Sequence, residues 1–429
     1  MRRIDFWVGQ PGCLFLTCVR LVLRAFGREK HLTEPPKKIL FFKLVEQGAT
    51  VLAFGAIQRA IRMAGRDNVY FCVFDNNRPI LDILDVVPEG NLLTIRQSRF
   101  SLFVLDSIRT LLTIRRIGID AVIDMEFYAR ASAMFAYLTG APRRVGFHSF
   151  CSDTPYRGNL MTHRLQYNPY LHWSVASGLL VETLEHDPGD VPMVKIPLRE
   201  IHPPVPTFLP TYGEKERLRE LVAGQSPGRP VKRIVLLNPN ASDMLPIRKW
   251  PNPRFVELGR RLLDEHEDVT LVITGAPDEQ DAADEMRDAI GDPRAISLAG
   301  KTTLRELVVL YTLSEVLVTN DSGPAHFASM TDVDIVVLFG PETPKLFGPL
   351  GNHVHIVSQK FACSPCISAF NHRFSPCTNN LCVQTITADQ VYDVVRVCLA
   401  SRRRATVFEG QQTVSADGGR RGDVTSGER

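Results

Sequence analysis

Val318-Thr319-Asn320-Asp321-Ser322-Gly323-Pro324-Ala325-His326 reads in one run as the end of a strand, a tight turn and the start of a helix. Leu317, Val318 and Thr319 form an apolar, β-branched strand end. Asn320, Asp321 and Ser322 are helix N-cap types, Gly323 lets the backbone turn closely, and Pro324 suits the first helical position. Such a turn aims free backbone N–H groups outward beside the positive end of a helix dipole, which makes an anion site. The Asp321 carboxylate and the His326 imidazole add hydrogen bonds for hydroxyls or phosphate oxygens. A second apolar strand over 335–338 follows, then Phe339-Gly340-Pro341-Glu342-Thr343-Pro344 and Phe347-Gly348-Pro349-Leu350-Gly351. Two strand-ending turns of this kind belong side by side at the carboxyl edge of one sheet, where open α/β folds bind ligands.

Outward from that run, strands and helices alternate along the chain. The first half predicts strands over 39–43, 69–74, 121–124 and 144–147, with helices over 50–63, 102–116 and 129–138. The second half predicts strands over 234–238, 269–274, 295–298, 316–319 and 335–338, with helices over 253–265, 278–290, 304–313, 325–330 and 388–399. That is βαβ logic and predicts parallel sheets. Residues 197–212 are proline-rich, cannot continue a helix and read as a linker. A chain of 429 residues exceeds one hydrophobic core, so two domains parting near that linker are expected.

The strand, the Asn-Asp-Ser-Gly-Pro-x-His turn, the Ala-containing helix and the second strand ending in Phe-Gly-Pro resemble the signature of glycosyltransferase family 9, the heptosyltransferase family. The resemblance covers residues 37–400. It implies the GT-B architecture, two Rossmann-like α/β domains facing a central cleft. An acceptor-side domain would span 37–205 and a donor nucleotide-sugar-binding domain 206–400. The implied reaction is inverting, without metal or cofactor. It moves heptose or a related sugar from a nucleotide-sugar donor, ADP-heptose by the resemblance, to a lipopolysaccharide-core or other lipid-linked glycan acceptor. Alternatives are a catalytically silent sugar-nucleotide binder and a sugar-nucleotide epimerase on the same fold.

Asn238-Pro239-Asn240-Ala241-Ser242 follows a predicted strand, and Arg248-Lys249-Trp250-Pro251 opens the next helix. In the family the corresponding loop and basic residue hold the donor diphosphate. Lys249 is the residue matched, Ser242 would donate to a phosphate oxygen, and Asn240 belongs to the same loop. Thr274-Gly275 ends another strand at this edge, and Thr302, in Leu298-Ala299-Gly300-Lys301-Thr302-Thr303-Leu304, is placed near the base or ribose. With Asp321, Ser322, Gly323 and His326 these complete the expected donor site. Gly300-Lys301-Thr302 is not a P-loop ending, because the glycine that motif needs five positions earlier is Ala295.

The acceptor loop is Lys43-Leu44-Val45-Glu46-Gln47-Gly48-Ala49-Thr50. The family has Gly-Asp there, with the Asp as general base; here Ala49 stands in its place. A carboxylate from elsewhere must accept the proton of an acceptor hydroxyl. Glu46 in the same loop and Glu126 beyond the next strand are the candidates, Glu126 being preferred. Gln47, Gly48 and Arg130 are expected to contact the acceptor, and Arg143 and Arg144 to serve its anionic groups or lie at the surface.

Net charge is +3, with the excess near the start, so bulk nucleic-acid binding is not indicated. Residues 13–26 form an apolar run broken by Arg20 and Arg24, shorter than the roughly 20 apolar residues a membrane span needs. Segment 1–36 therefore reads as an amphipathic, membrane-associating element, its arginines meeting anionic lipid. The alternative is a helix packed on the body. The expected location is cytoplasmic, peripheral on the inner face of the cytoplasmic membrane. Nine cysteines include Cys363, Cys366, Cys377 and Cys382, whose spacing suits a thiolate metal knuckle or clip, or unpaired buried thiols. Residues 401–429 lack apolar periodicity and read as disordered.

Overall fold

The computed structural model describes residues 5, 7–27, 34–150, 155–198, 204–226, 228–241, 245–371 and 373–416, with side chains as far as Arg402. Twelve strands form two parallel six-stranded sheets. The first contains β1 (Ile39–Phe42), β2 (Val69–Phe74), β3 (Leu92–Ile95), β4 (Ala121–Asp124), β5 (Arg143–Phe147) and β6 (His163–Leu165), in the order β3-β2-β1-β4-β5-β6. The second contains β7 (Arg233–Asn238), β8 (Val269–Ile273), β9 (Ala295–Ser297), β10 (Val316–Asn320), β11 (Asp334–Phe339) and β12 (Val354–Ser358), in the order β12-β11-β10-β7-β8-β9. This is the expected GT-B pair of doubly wound domains.

The central strands β1, β4, β7, β10 and β11 are buried along their whole length. Helices cover both faces of a parallel sheet, which is why these strands read as continuous apolar runs rather than alternating ones. In both sheets the chain reverses direction of winding at the first strand, β1 or β7, and the cleft opens there. Ile39 of β1 registers with Val69 and Ala121, while Val235 of β7 registers with Val316 and Leu271.

Three strands escaped the sequence: β3, β6 and β12. β12 is an edge strand with half-exposed and exposed residues, and β6 has three residues, so neither carries the apolar run of a central strand. The helix expected over 50–63 is two, Gln47–Leu52 and Phe54–Ala64. The last helix, Ala388–Ala416, continues past 401 into the segment read as disordered; residues 417–429 lie outside those described.

The helix Gly9–Ala25 packs on the first domain. Gly9 and Gly12 permit the approach: a Cβ there would sit 2.8 Å from Arg130 Cβ or 2.7 Å from Met134 Sδ. Arg20, expected to meet lipid, turns inward and donates to the carbonyls of Asn159 (2.6 Å) and Met161 (2.9 Å). Asp5 accepts from the Arg130 and Ala131 amides at 3.0 and 2.8 Å. The helix is thus a built part of the domain, with its apolar residues on the outside. No helix among the described residues is long and apolar enough to cross a membrane.

Candidate active site

In the second domain, Asn320 at the end of β10 binds three segments together. Its Nδ2 donates to the carbonyls of Pro239 (2.8 Å) and Asn240 (3.3 Å), and its Oδ1 accepts from the Trp250 amide at 3.0 Å. Asn238 donates to Thr274 Oγ1 at 3.1 Å, Asn240 reaches the Thr274 carbonyl at 3.5 Å, and the Gly275 carbonyl accepts from the Gly300 amide at 3.0 Å. The ends of β7, β8 and β10 are therefore joined edge to edge. The motif strand ends, Asp321 follows it, and the helix Gly323–Ala328 begins, with Ser322 at its N-cap.

In the first domain, Glu126 pins the loop after β1. Its Oε1 accepts from the amides of Leu44 (2.8 Å) and Val45 (3.3 Å) and from Lys43 Nζ (3.4 Å). Lys43 is buried, and its other partner is Glu46 Oε2 at 3.4 Å. Burial pulls the Lys43 ammonium below its ordinary pKa, against the pull of Glu126. Glu46 sits in the left-handed region at φ 70°, an unusual place for a residue with a side chain and one that costs roughly 1–3 kcal/mol. The loop continues into the helix Gln47–Leu52, whose Ala49 carbonyl accepts from Trp173 Nε1 at 2.9 Å and whose Gln47 donates to the Asn76 carbonyl at 2.8 Å.

The two sides meet through a ladder of charges. Arg373 forms ion pairs with Glu46 of the first domain and, at 3.6 Å, with Glu342 of the second. Arg248 lies 4.0 Å from Glu342 and 3.4 Å from Asp321. Burial raises the Asp321 carboxyl, opposed by Arg248, and burial together with Asp321 pushes Glu342 up to about 8. His326 is buried against Gly48, and its Nδ1 has no hydrogen-bond partner. Burial, with His172 and Arg248 nearby, brings its pKa down to about 3, so the ring is neutral at physiological pH. Three carboxyl groups, two guanidiniums and a neutral imidazole thus converge between the two sheets.

The model of glycosyltransferase family 9 (heptosyltransferase) matches residues 109–373, well over half of the chain. The chain belongs to this family. Lipopolysaccharide heptosyltransferase 2 of Escherichia coli K12 is 31% identical over 115 residues, which cover 26% of this chain and 32% of that protein. Lipooligosaccharide heptosyltransferase 2 of Campylobacter jejuni is 24% identical over 168 residues, covering 38% and 51%. The family 9 chain spans from about a third to a half of the length of the curated relatives it matches. Its fold is that of the E. coli ADP-heptose lipopolysaccharide heptosyltransferase II, with a TM-score of 0.64 at 19% identity over 85% of this chain and 99% of that one. The E. coli heptosyltransferase WaaC with ADP superposes with a TM-score of 0.57 at 15% identity, over 84% and 99%.

The structure of this family 9 member gathers Glu46, Gln47, Gly48, Asp321 and His326 at the cleft, with Asn240, Thr274, Gly275, Ser322 and Gly323 along the carboxyl edge of the second sheet. Lys249 is half-buried beside Arg248, and Thr302 is half-buried ahead of a helix that Thr303 and Glu306 cap. Ser242 lies outside the described residues. Arg130 lies elsewhere: it is buried under the N-terminal helix and donates to the Tyr156 carbonyl at 2.8 Å, so its guanidinium serves helix docking. Arg143 and Arg144 are buried as well, Arg144 holding the carbonyls of Leu160 and Ala141. Cys363, Cys366 and Cys377 lie near enough to Cys382 to act on its ionisation. The set of ligand atoms converging within 4.8 Å among the described residues is a different one, Asp334, His355 and Cys398, where Asp334 already pairs with Arg402. Sequence reasoning missed Lys43, Glu342 and Arg373. Glu342 was visible in the Phe-Gly-Pro turn as an acid at a ligand-binding edge; Arg373, in the cysteine-rich loop, carried no signal.

Proposed function

We propose that this protein transfers heptose or a related sugar, with ADP-heptose as donor, to a lipopolysaccharide-core or other lipid-linked saccharide at the inner face of the cytoplasmic membrane. The observation that carries this is the charge ladder from Glu46 through Arg373, Glu342 and Arg248 to Asp321, set across the cleft of a family 9 fold. On this reading an acceptor hydroxyl attacks the anomeric carbon of the donor from the first domain's side. Its oxygen bonds to that carbon while the bond from carbon to the diphosphate oxygen breaks, which inverts the configuration. Arg248 and Lys249 offset the charge of the departing nucleoside diphosphate, an electrostatic role these cations fill at the edge of the donor domain.

The hydroxyl proton passes to a carboxylate. Glu46 is the better candidate, in place of Glu126. Glu126 spends its Oε1 on three donors that hold the loop; Glu46 also has partners, Lys43 and Arg373, but it stands on the loop itself, three residues before Ala49, in a strained backbone conformation that the surrounding structure maintains. Attachment through the N-terminal helix would bring the enzyme to a lipid-linked acceptor. A transfer assay with ADP-, GDP- and UDP-linked heptose and hexose donors and a lipopolysaccharide-core acceptor tests the reading. Donor binding without transfer across a broad acceptor panel would instead support a silent sugar-nucleotide binder, the reading that Ala49 favours.

A further inference from the structure

Two helices of the first domain are turned inside out. The helix Phe100–Ile117 buries Asp106, Thr110 and Ile114 against the sheet, and leaves Phe100, Val104, Leu105, Ile108 and Leu112 exposed. Positions 100, 104, 108 and 112 follow one another at four-residue steps, so they form one stripe along the helix. The helix Gly9–Ala25 repeats the inversion. Gly9, Cys13, Thr17 and Arg20 face inward, while Leu14, Phe15, Leu21, Val22 and Phe26 are exposed. A helix whose outer side meets only water carries the opposite pattern. Phe100 at 75% and Phe15 at 66% exposure are not rim residues of a core.

Both helices lie on the same face of the first sheet. Cys13 and Ile114 belong to one buried cluster with Leu40, Phe42 and Val122. Each also has its first turn at the carboxyl edge of that sheet. The helix Phe100–Ile117 follows β3 and starts there, and Asp5, ahead of the N-terminal helix, binds the amide of Arg130, which begins the helix after β4. The exposed apolar face therefore reaches the edge that carries Glu46 and Glu126.

Its charge fits one kind of partner. Arg24, Arg99, Arg109 and Arg116 are exposed on or beside the two helices. The carboxylates among their described residues, Asp5 and Asp106, are held by Arg130 and by Arg96. An apolar stripe flanked by arginines and lacking unpaired carboxylates matches the headgroup boundary of an anionic bilayer. A second copy of the same face would set arginine against arginine.

We propose that the helices Gly9–Ala25 and Phe100–Ile117 together form a membrane-docking face for an anionic bilayer, with the cleft edge held at the headgroups. This rests on the membrane reading given above and extends it to a helix far from the N-terminal segment. The test uses the full chain and vesicles of phosphatidylethanolamine with phosphatidylglycerol, against vesicles of phosphatidylcholine. Ile108→Ser with Leu112→Ser alters the second helix, and Leu14→Ser with Phe15→Ser the first. Each pair is expected to lower partition onto anionic vesicles about tenfold or more, the factor for losing one well-buried apolar side chain. Melting temperature should hold, because all four residues are exposed. Raised salt should weaken binding by the parent. Parent-like partition of the Ile108/Leu112 variant would overturn the proposal. So would equal binding of the parent to phosphatidylcholine, or a sedimenting dimer that this variant dissolves while the parent ignores vesicles. Transfer to a water-soluble, lipid-free acceptor is read separately: if the parent docks on vesicles but transfers no sugar, the glycosyl-transfer reading fails and the docking face stands.

Discussion

Arg373, on the cysteine-rich loop of the second domain, is ion-paired with Glu46, on the loop that follows the first strand of the first domain. The same guanidinium reaches Glu342 at 3.6 Å and stacks over Phe347, 4.8 Å from its ring centroid. One side chain thus couples the loop after β1 to the turn after β11. Arg373→Gln should lower turnover and loosen the loop, and a double-mutant cycle with Glu46→Gln should show a coupling of about 0.5–3 kcal/mol. Additive effects within a few tenths of a kcal/mol would mean the two residues act independently.

The two carboxylates beside the loop after β1 should separate cleanly. Glu46→Gln keeps shape and removes basicity, so transfer should drop by about two orders of magnitude or more with donor affinity nearly unchanged. Glu126→Gln keeps an oxygen for the Leu44 and Val45 amides, whose bonds at 2.8 and 3.3 Å hold the loop, and should retain most activity. Steady-state kinetics beside calorimetric donor titration decide this; full activity of Glu46→Gln removes it as the base.

Neighbouring cations in the second domain, Arg248 and Lys249, should fail differently. Lys249→Ala removes a half-buried charge and should weaken nucleotide binding by roughly 1.5–3 kcal/mol with little change in melting temperature. Arg248→Ala removes the cation beside the buried Asp321 and should cost stability as well as affinity. Unchanged calorimetric affinity in Lys249→Ala would take that lysine out of the site.

The central strands and the Asn320-to-His326 turn were legible because strands buried on both faces carry continuous apolar runs and because capping chemistry is local. The edge strand β12 was not, since none of its residues is buried. Arg20 shows a different limit. From sequence it sits one helical turn from Arg24 and looks like a lipid contact, but the carbonyls of Asn159 and Met161, distant in the chain, draw it inward. Arg130 is hidden for the same reason, by the docking of a helix more than a hundred residues away. Glu46 and Arg373 are the clearest case: no periodicity or spacing joins positions in different domains, and only the folded cleft makes them a pair.

Glu342 predicts a pH dependence of stability. Its folded pKa is about 8, above the ordinary 4.5. Between these values the unfolded residue is ionised while the buried one holds its proton, so the folded state binds more protons and stability falls as pH rises. The contribution is complete below 4.5 and is lost as pH passes through about 8. Glu342→Gln cannot ionise and should flatten this fall. Denaturant midpoints at about pH 5 and about pH 8 measure it; an equal drop in parent and variant would show that Glu342 is ionised in the folded protein.

Gly48 and His326 should behave as a size-matched pair across the cleft. A Cβ on Gly48 would collide with His326 Cδ2 and lie 3.1 Å from Cγ, tighter than most real contacts. The ring has little room to yield, because His326 is buried and belongs to a helix packed on β10 and β11. Gly48→Ala should therefore push the helices Gln47–Leu52 and Gly323–Ala328 apart, costing about 1–3 kcal/mol as overpacking and displacing Glu46 with them. Turnover should fall further than stability, since a shift on the order of 1 Å at the reacting groups is costly. His326→Ala in the Gly48→Ala background should restore the melting temperature by opening the space the methyl needs, while turnover stays low if the imidazole contacts substrate. A Gly48→Ala enzyme with parental stability and activity would show that the helices Gln47–Leu52 and Gly323–Ala328 stand farther apart in solution than in the structure.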